Sequence, residues 1–169
     1  MQRAGCAGYL CLVLVVCLLV GCMLAGCDDG YPEGKTLTFA DLHLTLPGDF
    51  IDLSGEGIDA DADFLYGRKT LIVKGASEDK AQLQEMTLEA YTSLVISGNQ
   101  LQVTPVACGK GYQFTYEKTV GDQQYTYVTV THEGKTNVWL FQFYCPTADL
   151  PENQPEIDII MSGITPDQE

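Results

Sequence analysis

The chain has 169 residues, 46% hydrophobic and 19% charged, a balance that excludes a disordered tail and fits one compact domain rather than several. Its 23 acidic residues outnumber the 9 basic ones for a formal charge of −14, which repels nucleic-acid phosphates, so no nucleic-acid partner is expected. The 17 glycines follow no collagen-like period, and the 7 cysteines raise the idea of a disulfide scaffold that their positions then dismiss.

The first 26 residues read as a processing segment rather than as fold. Arg3 and the amino terminus give a minimal positive end, Tyr9 to Val20 is an almost unbroken apolar run, and small residues follow from Gly21. The tetrad Leu24-Ala25-Gly26-Cys27 resembles the lipobox of bacterial lipoproteins, in which small residues admit the signal peptidase and the cysteine sulfur takes a diacylglyceryl thioether. Leu19-Val20-Gly21-Cys22 satisfies the same pattern. Cys27 is preferred because the soluble Asp28-Asp29-Gly30 follows it, whereas cutting before Cys22 would leave Met23-Leu24-Ala25 on the mature end. An uncleaved anchor is the rival reading, since Tyr9 to Gly26 is 18 residues, near the lower limit for a membrane span.

Lipidation at Cys27 implies a palmitate-type anchor on the extracytoplasmic face of the cell membrane, with the membrane itself as a partner. Loss of Arg3 with the signal takes the mature charge to −15, which an anionic bilayer repels, so the acyl chains must hold the protein. At about 0.8 kcal/mol per buried methylene, two chains suffice. The expected organisation is a signal over 1–26, a lipidated tether over 27–36 and a single domain over 37–169. Only Cys108 and Cys145 then remain in the folded part.

Within that domain, Leu42, Leu44 and Leu46 alternate with polar residues over Thr38 to Pro47, the period of a half-buried strand that Pro47-Gly48-Asp49 ends. An acidic loop, Asp52 to Asp63, follows. Its Asp59-Ala60-Asp61-Ala62-Asp63 run resembles the start of an EF-hand loop, but Phe64 stands where that loop needs glycine and Thr70 where it needs glutamate. No metal is expected. Were calcium to bind, Asp59, Asp61 and Asp63 would hold it. Phe64-Leu65-Tyr66 and Leu71-Ile72-Val73 read as a hairpin about Gly67-Arg68-Lys69. A polar stretch, Ser77 to Glu85, leads to a helix capped by Thr87, with Leu88, Tyr91, Leu94 and Val95 as its apolar stripe, stopped by Gly98-Asn99.

The clearest pattern runs to Cys145. Tyr112, Phe114 and Tyr116 alternate with polar residues, Gly121-Asp122 turns, Tyr125 to His132 alternates again, Glu133-Gly134 turns, and Val138 to Tyr144 is apolar on both faces, as a central strand requires. Pro155 suits a first helical turn, and Ile157, Ile160, Met161 and Ile164 form one stripe. An even pair of cysteines outside the cytoplasm suggests a disulfide, whereas this strand order puts Cys108 and Cys145 at opposite ends of the meander, ~20 Å apart against the ~6 Å that a disulfide needs.

This predicts an α+β fold, an antiparallel β-sheet with flanking helices. The element order, the Leu46-Pro47-Gly48-Asp49-Phe50 strand end, the aromatic Tyr112 to Cys145 ribbon and the closing Ile-rich helix resemble the PsbP-like α/β/α sandwich, also found in DcrB-type lipoproteins. That resemblance implies an accessory or binding protein, with no catalytic residues to carry over and no cofactor.

No nucleophile, base and acid set is evident, so the chain is not expected to be an enzyme. His43 and His132 read as surface residues, and a thiolate of Cys108 or Cys145 with His132 as base is the one conceivable dyad. The Gly-Lys pair of Cys108-Gly109-Lys110-Gly111 lacks the spacing of a phosphate loop. Nine of the 16 aromatic residues lie between Tyr112 and Tyr144; packing accounts for most of them, and Tyr125 and Tyr127 are the candidate ligand-binding pair, for an envelope protein or a glycan. The expected function is a membrane-anchored, non-catalytic binding or accessory lipoprotein; the alternative is a small envelope hydrolase or transferase.

Overall fold

The computed structural model describes residues 34–39, 41–54, 62–84 and 86–166, so Cys27 and its lipobox lie outside the described residues. In chain order come β1 (Lys35–Thr38), β2 (Leu42–Leu46), β3 (Ile51–Asp52), β4 (Phe64–Arg68), β5 (Leu71–Asp79), α1 (Leu88–Gly98), β6 (Val106–Cys108), β7 (Gly111–Val120), β8 (Gln123–Glu133), β9 (Asn137–Pro146), a 3-10 turn (Thr147–Asp149), α2 (Leu150–Ser162) and β10 (Thr165–Pro166). Seven strands form an antiparallel sheet in the order β3-β4-β5-β9-β8-β7-β6, and β1, β2 and β10 form a smaller antiparallel sheet. The fold is α+β, and β9 is the central strand of the large sheet, as its two apolar faces predicted.

Register divides that sheet into two faces. Val73, Phe143 and Val128 stand opposite one another, as do Phe141 with Val130 and Trp139 with His132. This inner face packs on Leu42, Leu44 and Leu46 of β2 and on Ile157 and Ile160 of α2 to make the main core. Each of those isoleucines is withdrawn from water, contributing about 2–3 kcal/mol of transfer free energy. Asp41 closes the edge of this core. Its Oδ1 accepts from Trp139 Nε1 at 2.9 Å, while Oδ2 accepts from the backbone of Thr136 and Asn137 at 2.9 and 2.8 Å and from Thr136 Oγ1 at 3.2 Å.

The outer face carries α1 over β7 and β8. Thr87 caps α1 by accepting from the Ala90 N–H at 3.2 Å, and Thr92 meets Thr131, hydroxyl to hydroxyl, at 2.7 Å beneath it. That buried polar contact sets the helix's rotation. Tyr91, Thr92 and Ile96 face inward while Leu94, expected in the stripe, is 53% exposed.

Other expectations shift in bounds. Lys35 and Thr36, placed in the tether, are the first residues of β1 and pair with Leu46 and Thr45. Ser77 to Asp79 extend β5, where pairing with Trp139, Val138 and Asn137 overrides a polar sequence. Pro155 does not open α2. The helix begins five residues earlier, at Leu150, with Pro151 in its first turn and Pro155 inside. The polar Asn153 and Glu156 that disguised this start are buried, Asn153 Nδ2 donating to Thr70 Oγ1 and Glu156 pairing with Arg68. His132 is corrected too. It is 8% exposed because it shares the inner face of β8 with Val128 and Val130, whereas His43 keeps a surface hydrogen bond to Thr38.

Candidate functional site

Beyond the end of α1 the outer face carries a tyrosine ladder. Register places Tyr116 opposite Tyr127, and Tyr127 opposite Tyr144. Their rings stack at centroid separations of 4.9 and 5.0 Å, with interplanar angles of 4° and 20°. Gln142 Nε2 donates to the Tyr116 hydroxyl at 3.1 Å. Burial pushes the Tyr116 phenol up, the neighbouring Tyr127 adds to the rise, and Gln142 and Thr129 oppose it.

Next to the ladder lies an open cleft of about 400 Å³, lined by Tyr125, Tyr127, Tyr144, Ile72, Val120 and Pro146, with Lys69 and Thr70 of the β4–β5 turn at its rim. Both tyrosines proposed from the sequence, Tyr125 and Tyr127, line this cleft, but they differ. Tyr127 is held on both faces by other rings. Tyr125 belongs to none of the stacked pairs among the described residues. Tyr116 and Tyr144 were missed as partners, because their link to Tyr127 is a matter of cross-strand register, which alternation within one strand does not reveal.

Within the ladder the middle ring, Tyr127, has a tyrosine ring on each of its faces. The cleft beside it suits insertion of an apolar or aromatic side chain against Tyr125, Ile72 and Val120, with Lys69 and Thr70 at its rim.

The conceivable thiol and imidazole dyad is only half assembled. Cys108 and His132 line one cleft on the inner face, yet burial pushes the Cys108 thiol up, and burial pulls His132 down against a backbone hydrogen bond with Glu133 that raises it. A nucleophile needs its thiolate and a base in contact with it. Cys145, also free, is fully buried, with its thiol pushed up by burial. It sits opposite Thr126, whereas Cys108 lies in the row of His132, six residues along β8, or about 20 Å. Of the acidic run, Asp59 and Asp61 lie outside the described residues. Asp63 is tied to the sheet by its backbone N–H, which donates to Gly75 O at 2.9 Å. Among the described residues no three His, Cys, Asp or Glu side chains gather as a metal-binding group, and no helix is long and apolar enough to cross a membrane.

No protein-family model matches this chain, and no curated protein sequence does. Among solved structures, a crystal structure from Bacteroides thetaiotaomicron VPI-5482 is similar at 12% identity and a TM-score of 0.55, covering 82% of this chain and 50% of that one. The chain thus spans about half the length of that protein. The solution structure of cyanobacterial PsbP (CyanoP) from Synechocystis sp. PCC 6803 is similar at 9% identity and a TM-score of 0.49, covering 86% and 99% of the two chains. LpqN, described as involved in cell envelope biogenesis of Mycobacterium tuberculosis, is similar at 13% identity and a TM-score of 0.45, covering 83% and 94%. At these identities the likeness is one of fold.

Proposed function

We propose that this chain is an extracytoplasmic lipoprotein, acylated at Cys27, whose PsbP-like domain is a non-catalytic accessory module that docks a protein segment in the outer-face cleft. The open aromatic cleft carries the reading. It is the place where α1 leaves half-buried rings and the exposed Val120 together, and apolar patches of that kind recognise partners. Binding is favoured over turnover because burial disfavours the charged forms of both Cys108 and His132. A protein segment is favoured because the cleft is lined mainly by apolar and aromatic groups, Ile72, Val120, Pro146 and the tyrosines, which an apolar or aromatic side chain fills.

A photo-reactive phenylalanine analogue at position 125, irradiated in intact cells, tests this. A discrete adduct from 125 and none from position 94, on the exposed side of α1, is expected. No adduct from 125, or the same adducts from both, refutes the docking site. Mass spectrometry of the native product tests the anchor separately: an unmodified sulfur at 27 on a chain retaining its leading apolar run removes it.

A further inference from the structure

The aromatic cleft has a charge environment unlike that of the chain around it. Acidic residues outnumber basic ones 23 to 9, yet the lining of the cleft includes one base, Lys69, and no carboxylate. Arg68 and Lys69 are adjacent but differ in state. Arg68 is neutralised by Asp49 and Glu156, whereas Lys69 is exposed and has no ion-pair partner among the described residues. Its place is fixed, because the tight turn between the paired Arg68 and Leu71 holds Lys69 at φ 50°, and Asn153 Nδ2 of α2 donates to Thr70 Oγ1 at 3.3 Å. A second lysine approaches from β7. Register sets Lys118 opposite Tyr125, and side chains opposite one another on neighbouring strands lie about 5 Å apart at Cβ. Lys118 is exposed and has no ion-pair partner among the described residues either. Glu117 beside it alternates to the inner face, where Gln124 Nε2 donates to it at 2.7 Å. Asp122 of the β7–β8 turn and Asp149 after β9 are the other carboxylates near this end of the sheet, and neither lines the cleft.

We infer that the segment this cleft accepts is acidic: an apolar or aromatic side chain flanked by Asp or Glu, whose carboxylates meet Lys69 and Lys118. The inference rests on the docking reading above and adds the partner's charge to it. The negative charge of the body does not forbid such a partner. At physiological ionic strength the field of distant carboxylates is screened over about 8 Å, so a segment entering the cleft meets the two ammonium groups first. The division of labour follows from the chemistry. Burial of the apolar side chain against Tyr125, Ile72 and Val120 supplies the affinity, while exposed charge pairs at the rim add little to it and instead select among segments. A basic segment would be repelled at this rim and attracted elsewhere on the acidic surface, whereas an acidic one is repelled elsewhere and accepted here.

The test is selection of a random-peptide phage library on the full-length protein in non-ionic detergent, at about 0.15 M salt, with clones sorted by whether Tyr125→Ala abolishes their binding. Tyr125-dependent clones are expected to carry Asp or Glu beside an aromatic or large apolar residue more often than the unselected library does. A synthetic peptide of the leading clone is then titrated against two double variants of equal charge change. Lys69→Glu with Lys118→Glu is expected to weaken it at least ~10-fold, and Lys110→Glu with Lys135→Glu, away from the cleft, by less than about twofold. Tyr125-dependent clones without acidic enrichment, or equal weakening by the two double variants, overturn the acidic partner and leave the docking cleft standing. Clones that bind irrespective of Tyr125 remove the docking reading and this inference with it. Circular dichroism checks folding, and should the Lys69 and Lys118 double variant not fold, Lys69→Gln, a change at an exposed turn, decides by whether it weakens the peptide at all.

Discussion

Asp41→Asn is the sharpest probe of what holds the core closed. Asp41 is 1% exposed, and its carboxylate accepts from Trp139 Nε1, Thr136 N and Oγ1, and Asn137 N. In the variant the single amide oxygen serves either the indole or the Thr136 and Asn137 pair, and the NH2 group is forced against a donor. Losing one charge-assisted hydrogen bond, about 2 kcal/mol, and leaving one buried donor unsatisfied, about 1 kcal/mol or more, gives roughly 3 kcal/mol in all. For a domain this size that lowers Tm by roughly 10 °C. The pH dependence supplies a second reading. Burial alone would raise the Asp41 carboxyl, but the hydrogen bonds from Trp139, Thr136 and Asn137 together outweigh it and hold the group below its ordinary range. As pH falls, the unfolded chain therefore takes the proton first. The stabilisation is present above the unfolded value of about 3.9 and is lost as pH drops through it toward the folded value. Urea unfolding at pH 7 and pH 3 measures both effects: the gap between wild type and Asp41→Asn is full at pH 7 and narrows at pH 3. A gap under about 1 kcal/mol at pH 7, or one that does not change with pH, would refute the carboxylate's role.

Arg68 joins Asp49 and Glu156, whose side chains are 41% and 11% exposed. Arg68→Ala strands the Glu156 charge inside and is expected to cost about 3–5 kcal/mol, whereas Asp49→Ala removes an exposed partner and costs under about 1 kcal/mol; equal losses of urea midpoint would sink this asymmetry. The ladder and its neighbour should separate in the same way. Tyr127→Ala breaks two ring stacks, each about 0.5–1.5 kcal/mol beyond its buried area, for roughly 2–4 kcal/mol in all, while Tyr125→Ala leaves the thermal midpoint within a few degrees yet removes capture of the partner by crosslinking from position 127.

Alternation along single strands was legible from the start, which is why Leu42, Leu44 and Leu46, the Tyr112 to Tyr144 meander and the central position of β9 emerged from sequence. What stayed hidden depends on pairs distant in the chain. Asp41 reads as the polar half of an alternating strand, and nothing local announces that Trp139, 98 positions on, will aim its indole N–H at it. His132 ends an alternating run just before a turn, where either face is open to it; only pairing with Trp139 and Gly111 shows that its face is the buried one. Pro155 looks like a helix start because a proline normally breaks helix interiors. Here the buried partners of Asn153 and Glu156 hold the preceding turn in place. Of the docking cleft, Tyr125 and Tyr127 were visible as aromatics, but Ile72, Tyr144 and Lys69 reach it through the β4–β5 turn and the β5–β9 pairing.

The route of the chain into the domain bears on where the cleft can act. Lys35 pairs with Leu46, its ammonium lies 4.7 Å from the Tyr66 ring centre, and Asp49, just past Leu46, binds Arg68. Arg68 adjoins Lys69 and Thr70, the rim of the cleft. The end of the large sheet at which β1 begins is accordingly the end that carries the cleft. Acylation at Cys27, as proposed, would put at most ~30 Å of chain between the lipid and Lys35. The mature charge of −15 that such processing would leave would be repelled by an anionic bilayer. Short tether and like-charge repulsion act in opposite senses on the distance. On the proposed reading the cleft would act within that short reach, where a segment projecting from a neighbouring envelope protein is the occupant it would meet.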